Sequence, residues 1–61
     1  MDNYNDYNVI IYLDKIIDYI ELERTTEKIA ISVANEAFNN RTNVDKVIVV
    51  DKDYKIVYTI E

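Results

Sequence analysis

The residue types that catalyse reactions are scarce in this chain. Ser32 is the only serine, and the chain has no histidine or cysteine that could serve as a base or a thiol nucleophile. A serine without a neighbouring base is a weak nucleophile, and zinc sites draw mainly on Cys and His. The absence of glycine also removes the loops that usually cradle phosphate groups. We therefore expect no enzyme activity and no bound cofactor.

Asp51 and Asp53 have the spacing of the first two ligands in a calcium-binding loop. Lys55 then falls at the third ligand position, and Ile56 falls where the loop needs Gly for its sharp turn. The pair is expected to form a solvated turn, so the sequence predicts no metal site here.

Three carboxylates, Asp14, Asp18 and Glu21, recur at the i, i+4, i+7 spacing that would place them on one face of a helix. Such an acidic face suits a basic partner surface. Tyrosines flank it, and tyrosine is enriched at protein interfaces because it is large, rigid and amphipathic. The predicted partner-binding residues are Tyr12, Asp14, Asp18, Tyr19 and Glu21.

Residues 8–22 are predicted to form the first helix, because their apolar side chains fall in one arc at helical spacing. The residues in that arc are Val9, Leu13, Ile16, Ile17 and Ile20. The competing interpretation is a strand, a turn at Asp14-Lys15 and a second strand. The content of Ile and Val favours strands, but a two-residue turn prefers Asn-Gly or Asp-Gly, which this segment lacks.

Residues 26–39 carry the clearest helical pattern of the chain. Thr25 or Thr26 can cap its start, and Asn39 or Asn40 can adopt the left-handed conformation that ends many helices. Its face is formed by Ile29, Ala30, Val33, Ala34, Ala37 and Phe38.

The last stretch, VIVVDKDYKIVYTI, predicts a β-hairpin with strands at about residues 45–51 and 54–60. Tyr54 stands where many such turns have Gly, so a wider loop is expected. The stretch resembles the hairpin of PAS, Cache and roadblock-type domains, in which an acidic turn joins two apolar strands. The resemblance implies a hairpin and no ligand site.

The sequence therefore predicts a single α+β domain over residues 1–61, with two helices followed by the hairpin. The alternative is ββαββ with one central helix, favoured by an echo between VIIYLDKIIDYIE and VIVVDKDYKIVYTIE. Two helices leave part of a two-stranded sheet bare, and a bare apolar hairpin is marginal in water. A homodimer through the hairpin is thus expected. Its predicted interface residues are Val47, Val49, Ile56, Tyr58 and Ile60.

The net charge of −5 and the scattered basic residues argue against direct binding of nucleic acid. The chain has no apolar run long enough to span a membrane, and its acidic start is unlike a signal peptide, so a cytoplasmic location is expected. The chain uses many residues that AT-rich codons encode, namely Asn, Asp, Tyr, Ile and Lys, and this suggests an AT-rich genome. We expect a small acidic protein, encoded by a phage or mobile element, that inhibits a host enzyme or defence system. A nucleic-acid-processing enzyme is one candidate partner. The alternatives are a DNA mimic and a regulatory subunit or sensor fragment.

Overall fold

The structure, a computed structural model, describes residues 4–61. It contains four strands and one helix in the order β-β-α-β-β. The elements are β1 (Asn5–Leu13), β2 (Ile17–Thr25), α1 (Glu27–Asn40), β3 (Val44–Val50) and β4 (Ile56–Ile60). All neighbouring strands are antiparallel and follow the order β2-β1-β3-β4 across the sheet. The two hairpins lie side by side, with β1 and β3 in the centre.

The prediction of a helix over residues 8–22 is wrong, and with it the fold of two helices and a C-terminal hairpin. The segment forms β1 and β2, which pair over most of their length. Its β-branched and aromatic residues pack well on a pleated surface and lose side-chain freedom in a helix. The arrangement is the ββαββ alternative considered from the sequence.

The turn between β1 and β2 shows why the hairpin forms without Asn-Gly. The backbone N–H of Leu13 donates to the carbonyl of Ile16 at 2.9 Å, so Asp14 and Lys15 lie at the tip. Neither residue has a positive φ. The turn therefore does not need glycine. The preference of two-residue turns for Asn-Gly or Asp-Gly was too strict a reason to reject a hairpin here.

Helix α1 closely matches the second predicted helix. The Thr26 hydroxyl accepts a hydrogen bond from the backbone N–H of Ile29 at 3.2 Å, which makes Thr26 the N-cap. The prediction for the other end is wrong: Arg41 follows the helix in extended geometry, and the left-handed residue is Asn43, with a φ of 62°.

Helix α1 covers one face of the sheet and builds the core there. Ala30, Ala34 and Ala37 are its buried residues, and their small side chains let the helix approach the strands closely. The central strands supply the partners, since alternate residues of a strand point to the same face. The strand residues fully buried in this core are Val9, Ile11, Val47 and Val49.

Candidate protein-binding surface

Within residues 4–61, no helix lies over the other face of the sheet, and we call it the open face. Cross-strand pairing places its residues in three rows. The first row contains Glu21, Asn8, Val50 and Ile56. The second contains Tyr19, Ile10, Ile48 and Thr59. The third contains Ile17, Tyr12 and Lys46.

Apolar exposure on the open face is greatest along its two outer strands. On β2, Ile17 and Tyr19 are 48% and 61% exposed, and on β4 Ile56 is 61% exposed. Ile48 and Val50 of the central strand β3 are nearly buried by their neighbours. The open face thus has a packed apolar centre flanked by large apolar side chains that contact water. Exposed apolar residues grouped in this way mark interaction surfaces more often than scattered ones do.

Tyr54 extends the open face from the turn between β3 and β4. Its backbone N–H donates to the carbonyl of Asp51 at 2.9 Å, and the Asp51 N–H donates to the carbonyl of Lys55 at 3.0 Å. This is the usual three-residue hairpin loop, in which the last position is left-handed. The loop is wider than the minimal two-residue turn, as expected, and Tyr54 nevertheless adopts a φ of 62° within it.

Tyr54 holds a left-handed backbone conformation that is unfavourable for a residue other than glycine. A left-handed residue other than glycine costs about 1–2 kcal/mol, and tyrosine gains little from packing here since it is 73% exposed. The ring lines a shallow depression of the open face together with Asn8, Ile10, Tyr19 and Glu21. Strain kept at an exposed aromatic residue is a common feature of binding sites.

Replacing Tyr54 by Gly is expected to stabilise the fold by about 0.5–1 kcal/mol. Glycine removes the cost of the left-handed backbone, and this gain exceeds its greater loss of chain entropy on folding. Urea denaturation measures the difference. Lys52→Gly is the matched control in the same turn, where φ is not positive, and it should destabilise the protein. Equal effects of the two variants would show that Tyr54 carries no backbone strain.

The charged residues within the three rows are Glu21 and Lys46. The Lys46 ammonium lies 4.7 Å from the centre of the Tyr12 ring, a distance at which the ring face attracts a cation. Within residues 4–61 the ion pair found is that of Arg41 with Asp18, so Glu21 and Lys46 both lack a carboxylate or cationic partner in the described chain.

The structure separates the five predicted partner-binding residues. Tyr12, Tyr19 and Glu21 share the open face, but Asp14 lies in the turn and Asp18 points to the covered side. In a helix, residues 14, 18 and 21 would form one row, whereas in a strand residues 18 and 21 point to opposite faces. The predicted acidic row therefore does not exist.

Asp18 has a structural role at the end of α1. Arg41, which directly follows the helix, donates from Nη1 to Asp18 Oδ2 at 2.7 Å. This guanidinium lowers the pKa of the Asp18 carboxyl from its usual value, and the hydrogen bond from the backbone N–H of Tyr19 lowers it further. The pair ties the helix end to strand β2, at a solvent-exposed position where such bridges contribute little stability.

The predicted dimer-interface residues also divide between the two faces. Val47 and Val49 have no exposed surface, which removes them from any contact with a second copy. Tyr58 and Ile60 pair with these two valines, and the Tyr58 hydroxyl donates to Asn35 Oδ1 of α1 at 3.4 Å. Ile56 is the member of the predicted set that lies on the open face.

Sequence reasoning missed most residues of the open face, among them Ile10, Ile17 and Tyr54. Ile10 could have been found from the alternation of apolar residues along 7–13, in which odd positions face α1 and even positions face away. Assigning Ile17 to the open face required placing the turn between β1 and β2 at Asp14 and Lys15. Tyr54 required recognition that a tyrosine can occupy the usual glycine position.

Of the residues considered for chemistry, Asp51 has a structural role in its turn. The carboxylate of Asp51 accepts hydrogen bonds from the backbone N–H groups of Asp53 and Lys55, which stabilises the turn. Ser32 lies exposed on α1. Across residues 4–61, no three acidic side chains come close enough together to hold a metal ion.

In the same described part of the chain, no helix combines the length and the apolar character that crossing a membrane requires. Comparisons of the sequence with models of protein families and with curated proteins, and of the fold with solved structures, find no match.

Proposed function

We propose that this chain is a non-catalytic protein-binding domain and that the open face is its binding surface. The observation that carries the proposal is the group of large apolar side chains left in water on the face that α1 does not cover. Burial of such surface is the main favourable term in protein association. Tyr12, Tyr19 and Tyr54 would serve as anchors, since aromatic residues dominate binding energy at interfaces.

Asp14, Asp18 and Glu21 do not share one face, and this separation bears on the choice between a DNA mimic, an inhibitor and a regulatory subunit. A DNA mimic needs a row of carboxylates that imitates phosphates, and Asp18 leaves that row to bind Arg41. Inhibition of a host enzyme or defence system, by a protein of phage or mobile-element origin, stays a prediction within the proposal. The regulatory-subunit alternative shares the same requirement for a protein-binding surface.

Tyr19→Glu is expected to abolish protein capture by the domain. The tagged chain is mixed with lysate of its natural host that also contains untagged copies of the chain, and bound proteins are identified by mass spectrometry. A charge at position 19 places a carboxylate in the apolar contact, where its desolvation is unfavourable. The captured set should disappear with this variant.

Ile29→Glu is the matched control, because Ile29 is also an exposed apolar residue, 50% exposed, but lies on α1. It should retain the captured set of the unmodified chain. Capture that survives Tyr19→Glu, or that responds equally to both variants, contradicts the proposal. Circular dichroism of both variants checks that each is folded.

A further inference from the structure

We propose that the open face binds the open face of a second copy of this chain, in a two-fold symmetric dimer centred on Ile10. The inference rests on the proposed function and names its partner. It differs from the dimer predicted from the sequence, which needs Val47 and Val49 that are buried here.

The positions of the two charges carry the inference. Glu21 lies one strand to one side of Ile10 and one row toward one end, because Glu21 pairs with Asn8 on β1. Lys46 lies one strand to the other side and one row toward the opposite end, because it pairs with Tyr12. Each displacement is about 4.8 Å across the strands and about 6.8 Å along them. Glu21 and Lys46 are therefore placed symmetrically about Ile10.

This symmetry makes Glu21 and Lys46 complementary to the same two residues of a second copy. Consider a two-fold axis parallel to the sheet, passing over Ile10 and perpendicular to the line from Glu21 to Lys46. It places Glu21 of each copy opposite Lys46 of the other, which makes two ion pairs around an apolar centre. Isologous interfaces have this property, since residue i meets residue j and j meets i.

The resulting geometry is one that packed sheets adopt. From the spacings above, the strands of the two copies cross at roughly 70°, which is near the orthogonal class of sheet packing. The open face measures roughly 20 Å in each direction, given four strands and three rows. That footprint is about 400 Å² on each copy, which is below the size of stable specific interfaces and typical of weak, transient ones, so a reversible, concentration-dependent dimer is expected. The bare apolar face would thereby become the centre of a two-sheet core.

The test uses two charge reversals separately and together. Glu21→Lys gives a face with two lysines, and Lys46→Glu gives a face with two glutamates, so each variant alone should self-associate at least tenfold more weakly than the unmodified chain. An equal mixture should form a heterodimer of near-normal affinity, since every lysine then faces a glutamate. Analytical ultracentrifugation up to about 0.5 mM chain in about 150 mM salt measures this.

Glu36→Lys and Lys28→Glu are the matched controls, because they reverse the same charges on α1, away from the open face. They should dimerise like the unmodified chain, and their mixture should show no preference for the heterodimer. An unmodified chain that stays monomeric throughout, or a Glu21→Lys and Lys46→Glu mixture without heterodimer, overturns the inference.

The two proposals fail in distinguishable ways. A monomeric chain whose capture of foreign proteins still depends on Tyr19 would overturn the second-copy inference alone. A monomeric chain whose capture ignores Tyr19 would overturn the proposed function as well. Heterodimer formation by the two reversed variants supports both, because it shows protein binding through the open face.

Discussion

Replacing Ile11 by Ala is expected to unfold a large part of the protein at room temperature. Ile11 lies on the central strand β1, has no exposed surface and packs against α1. Truncation of a buried Ile to Ala costs about 2–5 kcal/mol, since the lost transfer energy is joined by the cost of a cavity. A chain of 61 residues has a total stability of only about 3–9 kcal/mol. Urea denaturation at 25 °C measures the loss.

Ile16→Ala is the control for this variant, because the same side chain is removed from a position in the β1–β2 turn that is 65% exposed. Its effect should stay within about 0.5 kcal/mol, as for most surface substitutions. Similar losses for the two variants would contradict a core centred on β1. A larger loss for Ile16→Ala than for Ile11→Ala would support the helix that the sequence suggested, since its apolar arc contains Ile16 but not Ile11.

The helix wrongly predicted for residues 8–22 shows where apolar patterns are ambiguous. Val9, Leu13 and Ile20 all belong to the covered side of the sheet or its margin, so they are apolar for the same reason that a helix face would be. Ile16 fits the helical spacing, but it lies exposed in the turn. Ile17 also fits the spacing, but it lies on the open face. A hairpin can therefore mimic helical spacing over a short segment. The β-branched content was the more reliable signal.

Helix α1 and the C-terminal hairpin were predictable because their signals are local. A threonine cap followed by two rows of apolar residues depends on nothing distant. The order β2-β1-β3-β4 is different, since the pairing of β1 with β3 joins residues that are more than 30 positions apart in the chain, from Leu13 with Val44 to Asn8 with Val50. Which face α1 covers is likewise decided by packing of the whole domain. For this reason the residues of the open face could only be assigned from the structure.

Three residues illustrate how a chain without glycine accommodates positive φ values. Arg24, Asn43 and Tyr54 adopt positive φ values, and each is helped by its surroundings or by its own type. Asp6 accepts a hydrogen bond from the backbone N–H of Arg24 at 3.0 Å. Asn tolerates the left-handed region well. The side chain of Asp51 similarly supports the turn that contains Tyr54. Strong local rules on turn residues are therefore preferences that side-chain hydrogen bonds can outweigh.

Val47→Asp is expected to prevent folding almost completely. Val47 lies on the central strand β3 between Ile11 and Ile60, and it has no exposed surface. A carboxylate there would lose its hydration without a cationic partner, at a cost of several kcal/mol, which approaches or exceeds the stability of the domain. Circular dichroism and urea denaturation should show a chain that is largely unfolded at neutral pH. At low pH, where the carboxyl is protonated, the loss should be smaller.

The same variant decides between a core and an interface for the hairpin valines. If Val47 belonged to a dimer interface, as the sequence suggested, Val47→Asp would give a folded monomer with normal circular dichroism. Thr59→Asp is the control, since Thr59 is exposed on the open face of β4, and it should leave the domain folded. An unfolded Val47→Asp beside a folded Thr59→Asp places the valines under α1. A self-association of the chain that leaves this core intact is then compatible with the open face, where Ile10, Glu21 and Lys46 lie.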